Sequence, residues 1–453
     1  MSQESPSKYQ KIKGKLRYLD RSQLLYLTKK LDIKGVSQKK KNDLRKIIIH
    51  KLSELERKKT KKYNHNELNL IPVVQKSGAI KHSKKKDFTK TKHSNSSEPS
   101  YKNACFPKTH RLIAIGDLHG DLKATLQALK LANVISPSIP DDFQDITQIH
   151  WTGGTTYVVQ LGDQIDRVRP SQTVDDLCSP KDPELIEDEG SDLKIMCLMD
   201  KLDAEARANG GRCISILGNH ELMNVDSDFR YVSPREFREF GNYFKASRSQ
   251  KNKKLPYGYY ERKNAFSPGG ILAKRMAHTR YSIVQVGSWI FVHGGIHPKL
   301  AENYTIDEVN SCISKWLLGY PLDVNKKLEA DLEEIYHNED DSVSPFWSRI
   351  YSDLEDYDVQ SEQDFYKTLE ILNEKNNRTD DTQIKGMIMG HSPQFMYNKG
   401  ANSACNGKCW RIDVGMSRAF GELNPHDPST QLRKIQLLEI INDSIVTILQ
   451  KPS

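Results

Sequence analysis

Along this chain, short apolar runs stop five times on the same kind of polar cluster. Residues 111–115 (R-L-I-A-I) are nearly continuous in apolar character, too short for a helix and suited to a buried strand. The run ends at Gly116, Asp117 and His119 follow, and beyond Gly120 the apolar positions Leu122, Leu126 and Leu129 return at helical spacing. This predicts a strand, a tight loop and a helix, with a carboxylate and an imidazole where open α/β sheets bind ligands, at the carboxyl end of the strand. An isolated Asp-x-His would be read as a turn aspartate beside an exposed histidine. Four later runs change that reading: 158–161 before G-D-Q-I-D-R, 214–217 before G-N-H-E, 289–292 before H-G-G, and 387–389 before G-H-S-P. The same patterning predicts strands at 281–286, 289–293, 385–390, 410–414, 432–440 and 444–449 and a helix over 191–209. Residues 224–283 are expected to form a helical insertion over the strand ends, and an acidic, proline-punctuated insertion spans 167–191. No internal repeat is visible.

The 453 residues allow one domain of about 250 to 350 residues plus a small one, with a core that needs no disulfides. No apolar run reaches the roughly 18 residues of a membrane span, and the Lys-rich start is unlike a signal peptide. The expectation is a protein of the cytoplasm or nucleus, not secreted and with no membrane partner. Seven cysteines, odd in number and without a dense framework, fit a reducing compartment. Cys405 and Cys409 form C-x-x-x-C, read as two ordinary loop thiols because no second pair accompanies them.

Charge divides the chain. Residues 1–103 hold 28 Lys plus Arg against 9 Asp plus Glu, about +19 of an overall +9, which leaves the remainder near −10. Within 16–52, Leu24, Leu25, Leu27 and Leu31, then Ile33 and Val36, then Leu44, Ile47, Ile48 and Leu52 suggest two amphipathic helices around an extended turn with Gly35 at the bend. The expected organisation is a small basic helical module at 1–55, a disordered basic linker at 56–103, and a catalytic domain at 104–453. The module resembles a SAP-type helix-extended-helix unit. Nucleic-acid binding and docking to an acidic protein partner are both open readings, the first by salt-dependent phosphate attraction. Lys-rich 81–86 is either solvated tether or a nuclear-localisation or polyanion-binding stretch.

Carboxylate, amide oxygen and imidazole donors suit hard or borderline divalent metals, and a metal pair about 3.5 to 4 Å apart needs one bridging carboxylate. Asp117, His119 and Asp163 can hold one ion; Asp163, Asn219, His293 and His391 can hold the second, with Asp163 as the bridge. The absence of a Cys ligand disfavours a structural zinc site. A water shared by two such ions loses a proton near neutral pH and can attack a phosphorus in line. Arg167 can fork on phosphate oxygens. His220 can donate a proton to the leaving oxygen, with Asp166 placed to orient that imidazole and favour its charged form.

The series GDLHGD, GDQIDR, GNHE, HGG and GHSP resembles the calcineurin-like metallophosphoesterases, in their phosphoprotein phosphatase branch. Nuclease-type members carry Asp after GNH and a GH-x-H at the last strand, where this chain has Glu221 and Pro393. Longer stretches, GNHELMNVDSDFRYV at 218–232, SPGGILAKRMA at 267–277, FWSR at 346–349 and RIDVGMSRAFG at 411–421, are similar to the Shewanella-like protein phosphatases, over about residues 111–440. The resemblance implies an α/β fold, the calcineurin-like sandwich of two mixed sheets flanked by helices, here with a small all-α module in front. It implies a two-metal phosphatase of phosphoserine, phosphothreonine or phosphotyrosine proteins, served by manganese, iron or zinc. The same six metal-ligand positions are implied, His220 as acid with Asp166 behind it, Arg167 on phosphate, and Arg349 of FWSR as a second phosphate arginine. Val168 stands where many relatives have Gly. Two other readings share the motifs: a dinucleoside polyphosphate or nucleotide hydrolase, and a nucleic-acid or scaffold-binding protein using the domain as a docking body. Tyr243, Tyr257, Tyr259 and Tyr260 would line a substrate groove or pack the insertion.

Overall fold

The computed structural model describes residues 103–169, 188–246, 255–338, 342–352, 359–423 and 428–451, with a few positions between 33 and 51. The chain divides into two units, Met1–Ser100 and Tyr101–Ser453. In the first, Leu44, 46–48, His50 and Lys51 are helical, with Leu44 and Ile48 fully buried one turn apart. The rest of the expected helical module, the linker and most of the acidic insertion lie outside the described residues.

Among the described residues the second unit has twelve strands. They are β1 (Cys105–Phe106), β2 (Arg111–Ile115), β3 (Tyr157–Gln160), β4 (Arg212–Ile216), β5 (Arg280–Tyr281), β6 (Ile283–Val286), β7 (Trp289–Val292), β8 (Gly386–Met389), β9 (Asn402–Ala404), β10 (Cys409–Arg411), β11 (Gln436–Ile441) and β12 (Ile445–Gln450). They form two six-stranded mixed sheets, β12-β11-β2-β3-β4-β5 and β1-β6-β7-β8-β10-β9. In the first sheet β2, β3, β4 and β5 are parallel, so the loops leaving β2, β3 and β4 emerge on one side. In the second, β7, β8 and β10 are parallel. The central strands β2, β4, β7 and β8 are buried along nearly their whole length. That is why their sequences read as apolar runs and not as alternating faces.

Helices cover both sheets: α1 (Leu122–Leu131), α2 (Asp192–Ala208), α3 (Asn219–Val225), α4 (Pro234–Tyr243), α5 (Tyr259–Phe266), α6 (Ile271–Thr279), α7 (Pro298–Asn303), α8 (Ile306–Leu317), α9 (Lys326–Ile335) and α10 (Val359–Lys375). Local chemistry sets several starts. Asp121 caps α1 by accepting from the Ala124 N–H at 3.0 Å. Ser233 and Glu236 reciprocate across the first turn of α4, with Pro234 at its first position. Helix α2 spans the predicted 191–209 less one residue at each end, and α4, α5 and α6 fill the insertion predicted as helical.

The run 281–286 is not one strand. It divides at Ser282, so that β5 closes one sheet and β6 enters the other. The cause is Asn310 on α8: its Oδ1 accepts the Ser282 N–H at 2.7 Å and its Nδ2 donates to the Ile283 carbonyl at 2.8 Å. A side-chain amide thus satisfies backbone groups that would otherwise need a strand partner. Strand β11 starts four residues later than predicted, at Gln436. Arg433 is turned into the preceding loop instead, donating to the carbonyls of Gly415, Ser417, Phe420 and Gly421. Cys405 and Cys409 flank the turn between β9 and β10 as buried free thiols. No helix among the described residues is long and apolar enough to cross a membrane.

Phe291, fully buried on β7, belongs to the continuous core beneath the strand ends. Truncation to Ala should cost about 3 to 5 kcal/mol, read as a lowered urea midpoint at unchanged slope. A loss under about 1 kcal/mol would mean the sheets are not packed around it.

Candidate active site

Three of the loops that follow the five predicted runs, those after β2, β3 and β8, hold side chains on strained backbone. His119, Asp163, Asp166 and His391 have φ of 44°, 50°, 74° and 67°, the left-handed region that costs a non-glycine residue on the order of 1 kcal/mol or more. The surrounding hydrogen bonds hold them there. The Asp163 carbonyl accepts from the N–H groups of Leu118 at 3.0 Å and His119 at 2.8 Å. Glu221, fully buried, accepts from Asp163 N at 3.0 Å, Gln164 N at 2.8 Å and Gly218 N at 2.7 Å, joining the β3 and β4 loops. Two glycines allow close approach: a Cβ on Gly218 would overlap Asp163 Oδ1, and one on Gly390 would overlap Asp117 Oδ1.

The six predicted ligand residues converge. His293 Nε2 lies 3.3 Å from Asp163 Oδ2 and 2.9 Å from Asn219 Oδ1. Its Nδ1 faces the Leu161 carbonyl at 2.6 Å, which fixes the ring. His119 Nε2 is 3.8 Å from Asp117 Oδ2 and 3.9 Å from Asp163 Oδ2. Asp117 accepts the His391 N–H at 3.1 Å, tying the first loop to the last. Asp163 belongs to both metal-capable groups at this place, one with His293 and His391, the other with His119 and His220, the ligand atoms of each lying within 4.8 Å. The buried Nε2 of His391 has no hydrogen-bond partner among the described residues.

The electrostatics point the same way. Burial pushes the Asp117 carboxyl well above its usual range, and Asp413 and Asp163 add like-charge repulsion. Burial also lifts Asp413 to about 6, with Asp163 contributing. Asp163, although burial acts against its charge, is held well below its usual range by His293, His220 and His119. Buried acids crowded around unbonded imidazole nitrogens, with oxygen and nitrogen donors only, fit a pair of divalent cations.

His220 was expected as an acid and not a ligand. Its Nδ1 is 2.8 Å from Asp166 Oδ2, its backbone N–H donates to Asp163 Oδ1 at 2.9 Å, and its Nε2 stands 3.8 Å from Asp163 Oδ2. Behind Asp166 lies a network that motif reading missed. Arg262 donates to Asp166 Oδ1 at 2.9 Å and to Asn224 Oδ1 at 2.7 Å, and pairs with Asp192 at 2.7 Å. Asn224 donates to both Asp166 oxygens at 3.0 Å. Asn224 was within reach of sequence reasoning, being one helical turn past His220 on α3. Arg262 has no such signal. Asp192, lifted to about 6 by burial against the pull of Arg262, and Glu236 complete this second acidic cluster.

The two expected phosphate arginines separate. Arg349 comes to the site: its Nη1 donates to Ser392 Oγ at 2.6 Å, next to His391. Arg167 does not. Its guanidinium is fully buried and pairs with Asp121 at 2.9 Å, and Asp121 also takes two bonds from Arg418 at 2.8 and 3.0 Å. Although burial opposes it, these arginines hold the Asp121 carboxyl at about 2. The guanidinium expected to fork on phosphate is here engaged by a buried acid: a fully desolvated arginine needs a carboxylate, and Asp121 supplies it. The four insertion tyrosines divide as well. Tyr243 and Tyr260 are exposed, Tyr259 stacks on Phe237, and Tyr257 donates its hydroxyl to the Gly241 carbonyl.

A family model described as calcineurin-like phosphoesterase matches residues 110–395. Shewanella-like protein phosphatase 2 of Arabidopsis thaliana is 32% identical over 373 residues, covering 76% of this chain and 78% of that protein. Shewanella-like protein phosphatase 1 of Plasmodium berghei (strain Anka) is 26% identical over 340 residues, covering 73% and 74%. Among solved structures, a cold-active protein-tyrosine phosphatase of a psychrophile Shewanella sp. aligns with a TM-score of 0.47 and 16% identity, over 77% of this chain and 83% of that one.

Two outcomes test the geometry. Metal-stripped protein should gain thermal stability on adding manganese, by about 2.7 kcal/mol at a hundredfold excess over Kd, and Asp163→Asn should lose most of that gain. An unmoved Tm in the wild type would rule out the cation site. Asp121→Asn should cost about 2 kcal/mol near pH 7, since the native carboxyl titrates near 2 and the unfolded one near 3.8. A depressed carboxyl stabilises above its unfolded value, so the gap between wild type and variant should shrink by about half by pH 3. A gap constant with pH would mean that Asp121 is not an ion-pair partner.

Proposed function

Starting from a chain that belongs to the calcineurin-like phosphoesterases and, among them, to the Shewanella-like protein phosphatases, a metal-dependent protein phosphatase, we propose how its residues divide the work. The observation that carries the reading is the sharing of Asp163 by two donor groups, beside a buried His391 Nε2 with no other partner. Asp117, His119 and Asp163 hold one ion; Asp163, Asn219, His293 and His391 hold the second. Manganese, iron or zinc all suit such donors, and availability decides among them. When bound, such a pair would activate water as a nucleophile and screen the charge of a phosphate ester.

The protein supplies the rest. Arg349 binds phosphate oxygens from the His391 side. His220 protonates the leaving oxygen through Nε2, because Asp166 holds the Nδ1–H and so fixes the tautomer and the ring plane. Asn224 and Arg262 in turn keep both Asp166 oxygens in place. The substrates are phosphoproteins carrying phosphoserine, phosphothreonine or phosphotyrosine. In this reading residues 104–453 are the catalytic domain. The basic 1–55 segment, tethered by 56–103, raises the effective concentration of the phosphatase near nucleic acid or an acidic partner.

The test is manganese-dependent hydrolysis of para-nitrophenyl phosphate, phosphotyrosine and phosphothreonine peptides, and a dinucleoside polyphosphate, by wild type and Asp163→Asn. Peptide turnover by wild type with a loss of at least about 10²-fold in the variant is expected. Cleavage of the dinucleotide alone would move the assignment to nucleotide hydrolysis. No turnover of any substrate would favour a docking role.

A further inference from the structure

Away from the metal donors, α2 and α4 leave a groove between them of about 680 Å³. Leu193 of α2, Ile146 of the 3₁₀ turn Ile146–Gln148 and Tyr243, 67% exposed at the end of α4, give it an apolar lining. Lys194 of α2 with Arg235 and Arg238 of α4 add three cations. Arg235, Arg238 and Asn242 follow one another at helical-turn spacing and are all exposed, so they mark the outward face of α4. Arg238 makes no hydrogen bond or ion pair among the described residues. Arg235 donates from Nη1 to the Asp188 carbonyl at 2.6 Å, and Lys194 donates to Gln144 Oε1 at 2.6 Å, which leaves further protons on each. Two acids line the same groove, and both are engaged. Glu189 accepts from Arg418, and Glu239 accepts the N–H groups of Leu193 at 3.1 Å and Lys194 at 3.3 Å, at the start of α2. Burial lifts the Glu239 carboxyl to about 8, with the Asp192 charge adding to it, so at neutral pH it contributes little negative charge.

This combination selects the occupant. Pockets for drug-sized ligands span roughly 300 to 1,000 Å³ and cover most of the ligand. The groove is of that size, but its basic rim is exposed, which suits an extended segment of a larger molecule. A nucleic-acid strand would meet the cations through its phosphates and bring no aliphatic group to Leu193 and Ile146. A peptide whose aspartates or glutamates flank an apolar side chain satisfies both sets, and arginine clusters are a recurrent means of reading acidic motifs. Tyrosine and arginine are also the residues on which protein interfaces concentrate their binding energy. The groove lies close to the loop after β3. Asp192, next to Leu193, accepts the Asp166 N–H at 3.3 Å, and Glu236, next to Arg235, accepts the Arg167 N–H at 2.8 Å.

We propose that the groove between α2 and α4 docks an acidic segment of the phosphoprotein substrate, anchored by an apolar side chain. This rests on the phosphatase reading above and adds to it the class of protein sequence that the domain retains.

The experiment follows a fluorescein-labelled, unphosphorylated peptide of aspartates and glutamates around a leucine pair, and its asparagine and glutamine counterpart, by anisotropy on the full chain at physiological salt. Wild type should bind the acidic peptide and not the amide one. Arg238→Glu should weaken binding on the order of 10-fold, Arg235→Glu combined with it further, and Tyr243→Ala by at least about 5-fold. Turnover of para-nitrophenyl phosphate and Tm should stay near wild type in Arg238→Glu, a change at an exposed side chain. With the acidic segment joined to a phosphopeptide, the same variant should raise KM at unchanged kcat, the mark of binding lost equally from ground and transition states. With the amide segment it should change neither. If the double variant does not fold, Arg238→Glu and Tyr243→Ala decide by the same readings. Binding that every variant retains overturns the proposal, since the basic 1–55 segment would then hold the peptide. So does preferential binding of single-stranded DNA that the same variants abolish. Binding seen only after deletion of residues 170–187 would give the groove to the chain's own acidic segment and overturn it as well. Because anisotropy needs no turnover, a wild type that binds the acidic peptide and hydrolyses nothing sinks the phosphatase reading and leaves the groove. One that hydrolyses phosphopeptides and binds no acidic peptide sinks the groove alone.

Discussion

Everything at this site hangs on the placement of one carboxylate, Asp163. Its carbonyl receives two N–H groups from the β2 loop, its own N–H goes to Glu221, and its Oδ1 takes the backbone N–H of His220. Only Oδ2 remains, and it faces His119, His220 and His293 at 3.3 to 3.9 Å. Those separations are long for hydrogen bonds and suitable for donors sharing a cation. A left-handed φ of 50° at this position is the cost of aiming both oxygens at once. It persists because the loops after β2, β3 and β4 each contribute a bond that would be lost if the residue relaxed.

Around that point the protein sorts buried charge into closed and open sets. Asp166, Asp192 and Asn224 close around Arg262, and Asp121 closes around Arg167 and Arg418. Each guanidinium there has a carboxylate partner, which is what allows its full burial. The donor cluster is not compensated. Burial, with repulsion from Asp413 added to it, pushes the Asp117 carboxyl well above its usual range, and His391 Nε2 has no hydrogen-bond partner among the described residues. A fold that leaves this donor group short of positive charge is preorganised for metal, and the cost would be met when ions bind.

The strand ends and the six candidate donors were legible in the sequence because each candidate is a backbone-anchored residue within a few positions of an apolar run. Strand, glycine and donor form a local unit, so position along the chain maps to position in space. Features that depend on a distant side chain were not legible in the same way. The break at Ser282 is made by Asn310 on a later helix, and Arg262 reaches Asp166 from ninety-six residues away. Strand β9, N-S-A, carries no apolar alternation at all; it exists because β10 offers it an edge.

The arginines show the limit most clearly. D-R-V-R places two guanidinium groups two residues apart, and chain position alone favours the first, next to Asp166. Which one turns inward depends on where a buried acid waits. Asp121 caps α1 and is itself fully desolvated, so it must be paired, and Arg167 is the arginine whose side chain can reach it from the β3 loop. That commitment turns the Arg167 guanidinium onto Asp121, while Arg169, two residues on, lies between Phe420 and Tyr231. The pairing of a helix cap thus decides which arginine turns inward. Loop sequence alone does not carry that choice, because it is made by a desolvation energy forty-six residues upstream of the arginine it moves.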